Sequence, residues 1–303
     1  MSIHQLMQSL SHQHIPESTL YVIGTPIGNM TDIGLRALHI LEMADAVACE
    51  DTRVTRNLLV AYGLDKVLIS AHQHNEREVA KKLIARLKNG ERIVLVSDAG
   101  TPAVSDPGAR IVDAVRKENL NVVPIPGPSA AITALSASGF TDEHFLFIGF
   151  LPVKSTQRYK FLEKIKAVPA TLIIYEAPHR IKETLKSLTD IFEPSRQIVV
   201  ARELTKLFEE IHRCNLSDTA KWITEDVNRQ KGEFVLLIEG AHTQTDETDT
   251  ETRRILSILL DELPVSSAVA LATKITGSKK NSVYELALEL KNTPTDKTMR
   301  RGN

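Results

Sequence analysis

The chain has 303 residues, 42% of them hydrophobic and 25% charged, a length that suits two domains and a composition that excludes disorder outside the ends. A formal net charge of −1 excludes a global field drawing the chain onto nucleic acid or an anionic membrane, so any polyanion must be met by a local basic face. Two cysteines, Cys49 and Cys214, lie far apart without CxxC spacing, which fits a reducing compartment and excludes a disulfide scaffold or a thiolate zinc site.

The opening "MSIHQLMQSLSHQHIPES" lacks the basic start and apolar centre of a signal peptide, and no apolar run approaches a membrane span. A cytoplasmic protein without membrane attachment is expected. Residues 1–19 read as a mobile polar tail, whose three histidines need no metal to explain them. Strands are expected at Leu20–Gly24, Ala46–Glu50, Val67–Ala71, Arg92–Asp98 and Asn121–Pro126, with helices such as Asp32–Ala44 and Asn75–Asn89 between them. That alternation implies a largely parallel sheet covered by helices. A second set follows, with strands at Phe145–Phe150, Thr171–Ala177, Gln197–Glu203, Glu209–Cys214 and Glu233–Glu239, and helices near Ser155–Ala167 and Pro178–Ile191. The fourth and fifth of these strands are expected in antiparallel pairs, because the stretch after Glu203 is too short for a helical crossover.

The fold class is therefore α/β, two tandem α/β domains (20–126 and 127–240) with a ligand cleft between them. Their joint falls in "PIPGPSAAI", stiffened by Pro124, Pro126 and Pro128. The polar, acidic "AHTQTDETDTET" suits a linker over 241–251. Three helical patterns, Thr252–Asp261, Val265–Thr276 and Lys280–Lys291, make a small C-terminal helical module over 252–303. The last two share the outline of a helix-turn-helix nucleic-acid reader, but any small helical hairpin has it too.

Three loops carry the chemistry. "VSDAGTPAVSDPG" (Val96–Gly108) follows a strand and holds Asp98 and Asp106 among prolines and glycines. "YVIGTPIGNMTDIG" (Tyr21–Gly34) repeats the Gly-Thr-Pro turn, and "PIPGPSA" (Pro124–Ala130) ends a third strand in the same way. Strand ends of this kind in one sheet imply a shared crevice at the carboxyl edge. A phosphate cradle needs backbone N–H groups, which proline lacks, and the two aspartates repel a polyphosphate. Neither GxxxxGK[ST] nor GxGxxG is present. A cationic ligand with an adenosine-like hydroxyl edge fits better, and S-adenosylmethionine has that character.

Charged strand ends add to the crevice: Tyr175 and Glu176 in "IIYEAPHR", Arg202, Glu203 and Lys206 in "VVARELTK", and the start of "KGEF". Each one alone is explained by a surface salt bridge. In "ACEDTRVTRNLL", Glu50 and Asp51 end a buried-looking strand and Arg53 and Arg56 follow at helical spacing. Two readings stand there: a helix cap with an Arg–carboxylate pair, or a proton acceptor beside phosphate-gripping arginines. His72 and His74 alternate at a strand end, so they are expected on opposite faces and make poor joint metal ligands. No metal site is expected.

Together and in order, "GTPIGN", "CEDTR", "SDAGTPAVSDPG", "PIPGPSA", "GFLP", "YEAPHR", "ARELTK" and "KGEF" resemble the tetrapyrrole methylase superfamily of S-adenosylmethionine-dependent enzymes. The resemblance is most specific to its small-subunit ribosomal RNA cytidine 2′-O-methyltransferases, and it runs from Leu20 to Gly240. Ile148, before "GFLP", stands where relatives often have Glu, and the N-terminal tail is longer than usual. The resemblance implies S-adenosylmethionine between the two halves, against Pro26, Ile27, Asp98, Thr101, Ser129, Ala130, Tyr175, Ala201 and Phe234. Asp98 would hold a hydroxyl or amine of the donor, and Ser129–Ala130 its adenosine edge. It also implies a homodimer and gives the helical module a place.

On that reading the acceptor is a ribose hydroxyl of 16S ribosomal RNA or the small ribosomal subunit. Glu50 or Asp51 assists the proton, while Arg53, Arg56 and Arg202 line the RNA path. Lys279 and Lys280, in "KITGSKKNSVY", are further RNA contacts. Two rivals are a small-molecule tetrapyrrole methylase and a non-catalytic RNA-binding ribosome-assembly protein. The arginines of "CEDTRVTR" and the helical module favour RNA over a porphyrinoid.

Overall fold

The computed structural model describes residues 9–10, 12–241 and 245–292. Its first sheet is built from β1 (Thr19–Ile23), β2 (Ala46–Cys49), β3 (Leu68–Ser70), β4 (Arg92–Leu95) and β5 (Asn121–Ile125). All pair in parallel, in the order β3-β2-β4-β1-β5. Parallel strands covered on both faces need apolar residues on both, and "AVAC" in β2 is buried at every position. The period of two still assigns faces. Leu20 joins Ile93 and the core beneath α3 (Glu76–Lys88) and α4 (Ala109–Lys117), whereas Tyr21 and Ile23 join Val47 and the core beneath α1 (Leu35–Met43). One further helix, α2 (Thr52–Ala61), follows β2.

The second sheet has the order β6-β7-β10-β8-β9, from β6 (Phe145–Phe150), β7 (Thr171–Glu176), β8 (Gln197–Arg202), β9 (Glu210–Asn215) and β10 (Phe234–Ile238). The antiparallel expectation holds: β9 runs antiparallel to β8, and β10 inserts between β7 and β8 antiparallel to both. Insertion between two neighbours explains why "FVLLI" is buried throughout. Helices α5 (Ala130–Ser138), α6 (Ser155–Ile165), α7 (Ile181–Ile191) and α8 (Leu216–Glu225) accompany this sheet. Both sheets belong to one compact unit, formed by the described residues up to Lys166 and by Ala170–Gly240.

The second compact unit comprises Ala167–Pro169 and the described residues from Ala241 onward. Its helices are α9 (Thr245–Glu262), α10 (Val265–Thr276) and α11 (Lys280–Asn292). They enclose their own core of Leu256, Ala268, Val269, Ala272, Val283 and Ala287. The expected linker over 241–251 is corrected here, since α9 begins at Thr245. Acidic residues are favoured at the N-terminal end of a helix dipole, so an acidic polar stretch can open a helix as well as link two domains.

The expected mobile tail over 1–19 is corrected for its last residues, from Ile15 onward. Ile15 packs on the core beneath α1, Tyr21 Oη donates to the Pro16 carbonyl at 2.8 Å, and Arg92 Nε donates to the Ile15 carbonyl at 3.0 Å. Arg92 also pairs with Glu17 at 3.2 Å. Residues 1–8 and 11 of that tail lie outside the described residues, as do 242–244 of the linker. His72 and His74 depart from expectation because β3 ends at Ser70, before strand alternation reaches them. Their rings meet edge to face with centroids 6.0 Å apart.

Tyr21→Phe removes the bond to Pro16 while leaving the ring in place. It is expected to lower unfolding free energy by about 1 kcal/mol and to speed amide exchange at Ile15, Glu17 and Ser18, read by hydrogen-exchange mass spectrometry.

Candidate active site

In the first sheet β4, β1 and β5 are neighbours, so the three loops that follow them emerge side by side at the carboxyl edge. Backbone joins them. Thr25 and Gly100 exchange N–H···O bonds of 2.9 and 3.0 Å, and Thr25 Oγ1 donates to the Ser97 carbonyl at 3.1 Å. Thr101 Oγ1 donates to the Pro128 carbonyl at 3.0 Å. Gly127 lies so close to Gly24 that a Cβ on it would stand 3.1 Å from the Gly24 carbonyl oxygen. A side chain there forces the β1 and β5 loops apart.

The second half closes the opposite wall. Tyr175, near the end of β7, accepts the Ala131 N–H on its hydroxyl at 3.1 Å, pinning the first turn of α5. Phe147 and Phe150 pack edge to face on the Tyr175 ring, at centroid distances of 5.0 and 5.8 Å. Because β10 is antiparallel to β7 and β8, its first residues, Phe234 and Val235, arrive at the same edge. The resulting cleft has a volume of about 430 Å³.

Five carboxylate residues line this cavity: Glu50 after β2, Asp98 and Asp106 in the loop after β4, Glu176 at the end of β7, which is engaged by Thr184 and Arg180, and Glu233 before β10. Asp98 is oriented by the Asp51 N–H, which donates to its Oδ1 at 3.0 Å. Burial pushes Glu50 above the usual carboxylate range, and the Asp98 charge pushes it further. Asp106 rises to about 6, first through burial and then through Glu50, against a hydrogen bond from Ser97. The cavity's cation, Lys206, is engaged: its ammonium meets Glu203 Oε1 and Glu233 Oε2, both at 2.8 Å. Gly232, at φ +88°, makes room for this cluster, since a Cβ there would fall 2.4 Å from Glu203 Cγ. The cleft is therefore an acidic, half-apolar cavity that favours a cation over a phosphate. Among the described residues no group of three or more His, Cys, Asp or Glu is arranged to hold a metal ion.

The sequence-predicted residues separate clearly. Ile27, Glu50, Asp98, Thr101, Ser129, Ala130, Tyr175 and Phe234 are brought together in the cavity wall. Pro26 is buried outside that wall, and Ala201 belongs to the core with Ile173 and Val235. Asp51 caps α2, accepting the Arg53 N–H at 2.8 Å and the Arg53 guanidinium at 2.6 Å. These bonds hold its carboxyl down at about 2 and commit it to the helix cap; of the pair, Glu50 is the one that lines the cavity. Arg53 and Arg56 are exposed on α2.

Arg202 is corrected too. It is 8% exposed, pairs with Glu210 at 3.3 Å and donates to the carbonyls of Asn228 and Lys231, so it braces the sheet instead of facing a polyanion. Lys279 and Lys280 are exposed at the start of α11 in the second unit. Sequence reasoning placed Asp106 and Lys206 at the crevice without giving them a role in donor binding, and it left out Glu233 and Phe150 as site residues. The signal for Asp106 was present, an aspartate before Pro-Gly in the same loop as Asp98.

A family model described as "Tetrapyrrole (Corrin/Porphyrin) Methylases" matches residues 19–220, and one described as "RsmI C-terminal HTH domain" matches 246–291. Among solved structures, a cobalt precorrin-4 methyltransferase of cobalamin biosynthesis aligns with a TM-score of 0.53 at 18% identity, over 75% of this chain and 98% of its own. A uroporphyrin-III C-methyltransferase from Thermus thermophilus, complexed with S-adenosyl homocysteine, aligns with a TM-score of 0.52 at 18% identity, over 72% of this chain and 96% of its own. At that identity these show the fold alone: two α/β domains of the tetrapyrrole methylase type with added C-terminal helices. Closer relatives carry the name ribosomal RNA small subunit methyltransferase I. One from Escherichia coli O157:H7 is 46% identical over 273 residues, 90% of this chain and 96% of the relative. One from Mesorhizobium japonicum is 47% identical over 277 residues, 91% of this chain and 94% of the relative. The chain thus belongs to the tetrapyrrole methylases and, within them, to the ribosomal RNA small subunit methyltransferase I family.

Asp106 ties stability to pH with a definite sign. Its folded-state pKa of about 6 lies above the ordinary 3.8, so the folded chain holds a proton that the unfolded chain releases. Its contribution to stability is full below pH 3.8 and falls away as pH rises to about 6. Asp106→Asn is therefore expected to raise the Tm more at pH 8 than at pH 4, and equal shifts in thermal melts at the two pH values would contradict this.

Proposed function

We propose that this chain transfers a methyl group from S-adenosylmethionine to the ribose 2′-hydroxyl of a cytidine in small-subunit ribosomal RNA. The observation that carries the reading is the acidic cleft at the joined loop ends, in a chain whose close relatives are named for this RNA. The residues present fit the donor. A volume of about 430 Å³ lies in the range of small-molecule sites. Glu50, Asp98 and Asp106 complement a sulfonium and an ammonium, and Ile27, Ala130, Tyr175 and Phe234 offer an apolar wall to the adenine. Asp98 would hold a donor hydroxyl or amine, and Ser129–Ala130 the adenosine edge.

Bound there, the donor supplies an electrophilic methyl carbon on a positively charged sulfur. The chain's own task is to align the hydroxyl and to take its proton as the oxygen–carbon bond forms. Glu50 and Asp106 are the acceptors the cavity offers, and both are raised above the usual range, first by burial and then by a neighbouring carboxylate, Asp98 for Glu50 and Glu50 for Asp106. An acceptor near 6 is mostly ionised at neutral pH and still basic enough to take a proton. The target nucleotide leaves its stack to reach such an enclosed site. Arg53 and Arg56 on α2, with Lys279 and Lys280 on the helical module, supply phosphate contacts.

A homodimer working in the cytoplasm belongs to the same proposal. Leu207 and Phe208, 89% and 66% exposed, stand in the connection between β8 and the edge strand β9, where Ile211 is exposed as well. A second copy covering this apolar surface removes it from water. Light scattering at micromolar concentration is expected to give twice the chain mass, reduced by Leu207→Glu with Phe208→Glu.

Labelled S-adenosylmethionine should be offered to unmodified small subunits, naked ribosomal RNA and a tetrapyrrole precursor. Label is expected in RNA, and label entering the tetrapyrrole alone would overturn the reading. Asp98→Ala is expected to weaken donor binding at least tenfold in calorimetry. Glu50→Gln and Asp106→Asn are expected to lower kcat by about 10²–10⁴, with the wild-type rate rising through pH 6 as the acceptor ionises.

A further inference from the structure

Away from the cleft, a second groove of about 430 Å³ runs between α3 and α4. Ala80, Ile84 and Ala114 lie between its rims. Arg77 and Lys81 of α3 form one rim, and Arg110 and Lys117 of α4 form the other. At 1.5 Å rise per residue, each rim's cations are about 6 to 10 Å apart along the helix axis. The groove's acid, Asp113, is engaged by Lys117 at 2.7 Å. Arg110 reaches the buried Glu76 only at 3.9 Å, with its side chain 62% exposed. Among the described residues, Arg77 and Lys81 enter no ion pair. In a chain of net charge −1, four cations around one paired acid are a marked local departure.

The groove is also connected to the cleft through the chain. The loop that carries Asp106 into the cleft runs directly into α4 through its N-cap, Gly108. The Gly108 N–H donates to Glu76 Oε1 at 2.7 Å, lashing the first turns of α3 and α4 together at the sheet edge. Arg110 is thus four residues from a cleft carboxylate and lies in the first turn of the groove helix. A strand whose sugar enters the cleft has a basic channel immediately beside it. The groove is concave and two helices wide, which suits a single polynucleotide strand better than a flat bilayer.

We propose that the α3–α4 groove binds the sugar–phosphate backbone of the RNA strand flanking the target nucleotide, through Arg77, Lys81, Arg110 and Lys117. This rests on the RNA reading of the cleft. The interactions are independent of sequence: they set register and orientation, and the cleft selects the nucleotide. Arginine forks and lysine point charges both serve phosphate in that role.

The test uses the full chain with two double variants, Arg77→Gln with Lys81→Gln and Arg110→Gln with Lys117→Gln. Each is titrated against a 16S ribosomal RNA fragment at several salt concentrations, alongside methyl-transfer kinetics and donor calorimetry. Each double variant is expected to bind RNA about 10- to 100-fold more weakly. The dependence of log affinity on log salt should be shallower by about 1 to 2, at roughly 0.7–0.9 for each phosphate no longer neutralised. The effect should fall on the RNA KM and leave donor affinity unchanged, and Arg77→Lys with Lys81→Arg should keep wild-type binding. If both charge-removed variants keep wild-type RNA affinity and salt slope while the wild type methylates RNA, the groove proposal alone is overturned. Loss confined to binding anionic phospholipid vesicles overturns it as well. A wild-type chain that neither binds nor methylates RNA overturns the parent reading and the groove with it.

Discussion

The site depends on backbone touching backbone at the carboxyl edge of the first sheet. Thr25 pairs with Gly100, Thr101 reaches Pro128, and Gly127 lies against Gly24, so three loops from three strands form one body. The prolines among them offer no N–H and hold φ, which removes both a phosphate cradle and most of the loops' freedom. The Thr25–Gly100 exchange satisfies polar groups that a buried loop would otherwise leave unpaired. The cleft floor is therefore set by the fold before any ligand arrives, and affinity need not be drawn down to order it.

Electrostatics follows from that rigidity. Glu50, Asp98 and Asp106 are held around one cavity, where partial burial and neighbouring charge push Glu50 and Asp106 up. Strain is concentrated in the same place. Ala103 and Ser105 in the β4 loop, and Glu203 and Thr205 after β8, all have φ between +52° and +67° without being glycine. Each such residue costs about 1–3 kcal/mol, which the surrounding structure must over-determine. At Glu203 the restraint is visible: its carboxylate accepts the Glu233 N–H at 3.0 Å and holds Lys206. A cavity kept acidic at such cost attracts a cation and resists the phosphates of any polynucleotide presented to it.

Much of this was legible in the residues. Apolar runs bounded by turn residues located all ten strands to within a few positions, and Val265–Thr276 matches α10 at both ends. The Gly-Thr-Pro loops located the cleft. What stayed hidden has physical causes. In α5, "AAITALSAS" is too uniformly small to show a helical stripe. In β8 both faces are buried, so nothing in "QIVVAR" shows that Ala201 points into a core or that Arg202 turns to Glu210. Lys206 and Glu233 are separated by 27 positions and meet only because β10 inserts beside β8. Asp51 beside Glu50 looked equivalent to it, and one helix-cap geometry distinguishes the two.

The two charged surfaces solve one problem together. An RNA methylase needs a cavity negative enough to hold a sulfonium, yet its other substrate is a polyanion. If both requirements fell on one surface, each substrate would weaken the other's binding. Here the acids are confined to the enclosed cleft, while exposed cations lie outside it, on α2 and along α3 and α4. In the proposed reaction the group that enters the cleft is the sugar, which, unlike the phosphates, carries no charge. The phosphates on either side stay within reach of arginine and lysine, whose counterion release offsets the few kcal/mol needed to unstack a base. Gly108, bonded to Glu76 at the first turn of α4, lies two residues after the acidic Asp106 and two before the basic Arg110, so the chain passes from one charge to the other across a single anchored turn.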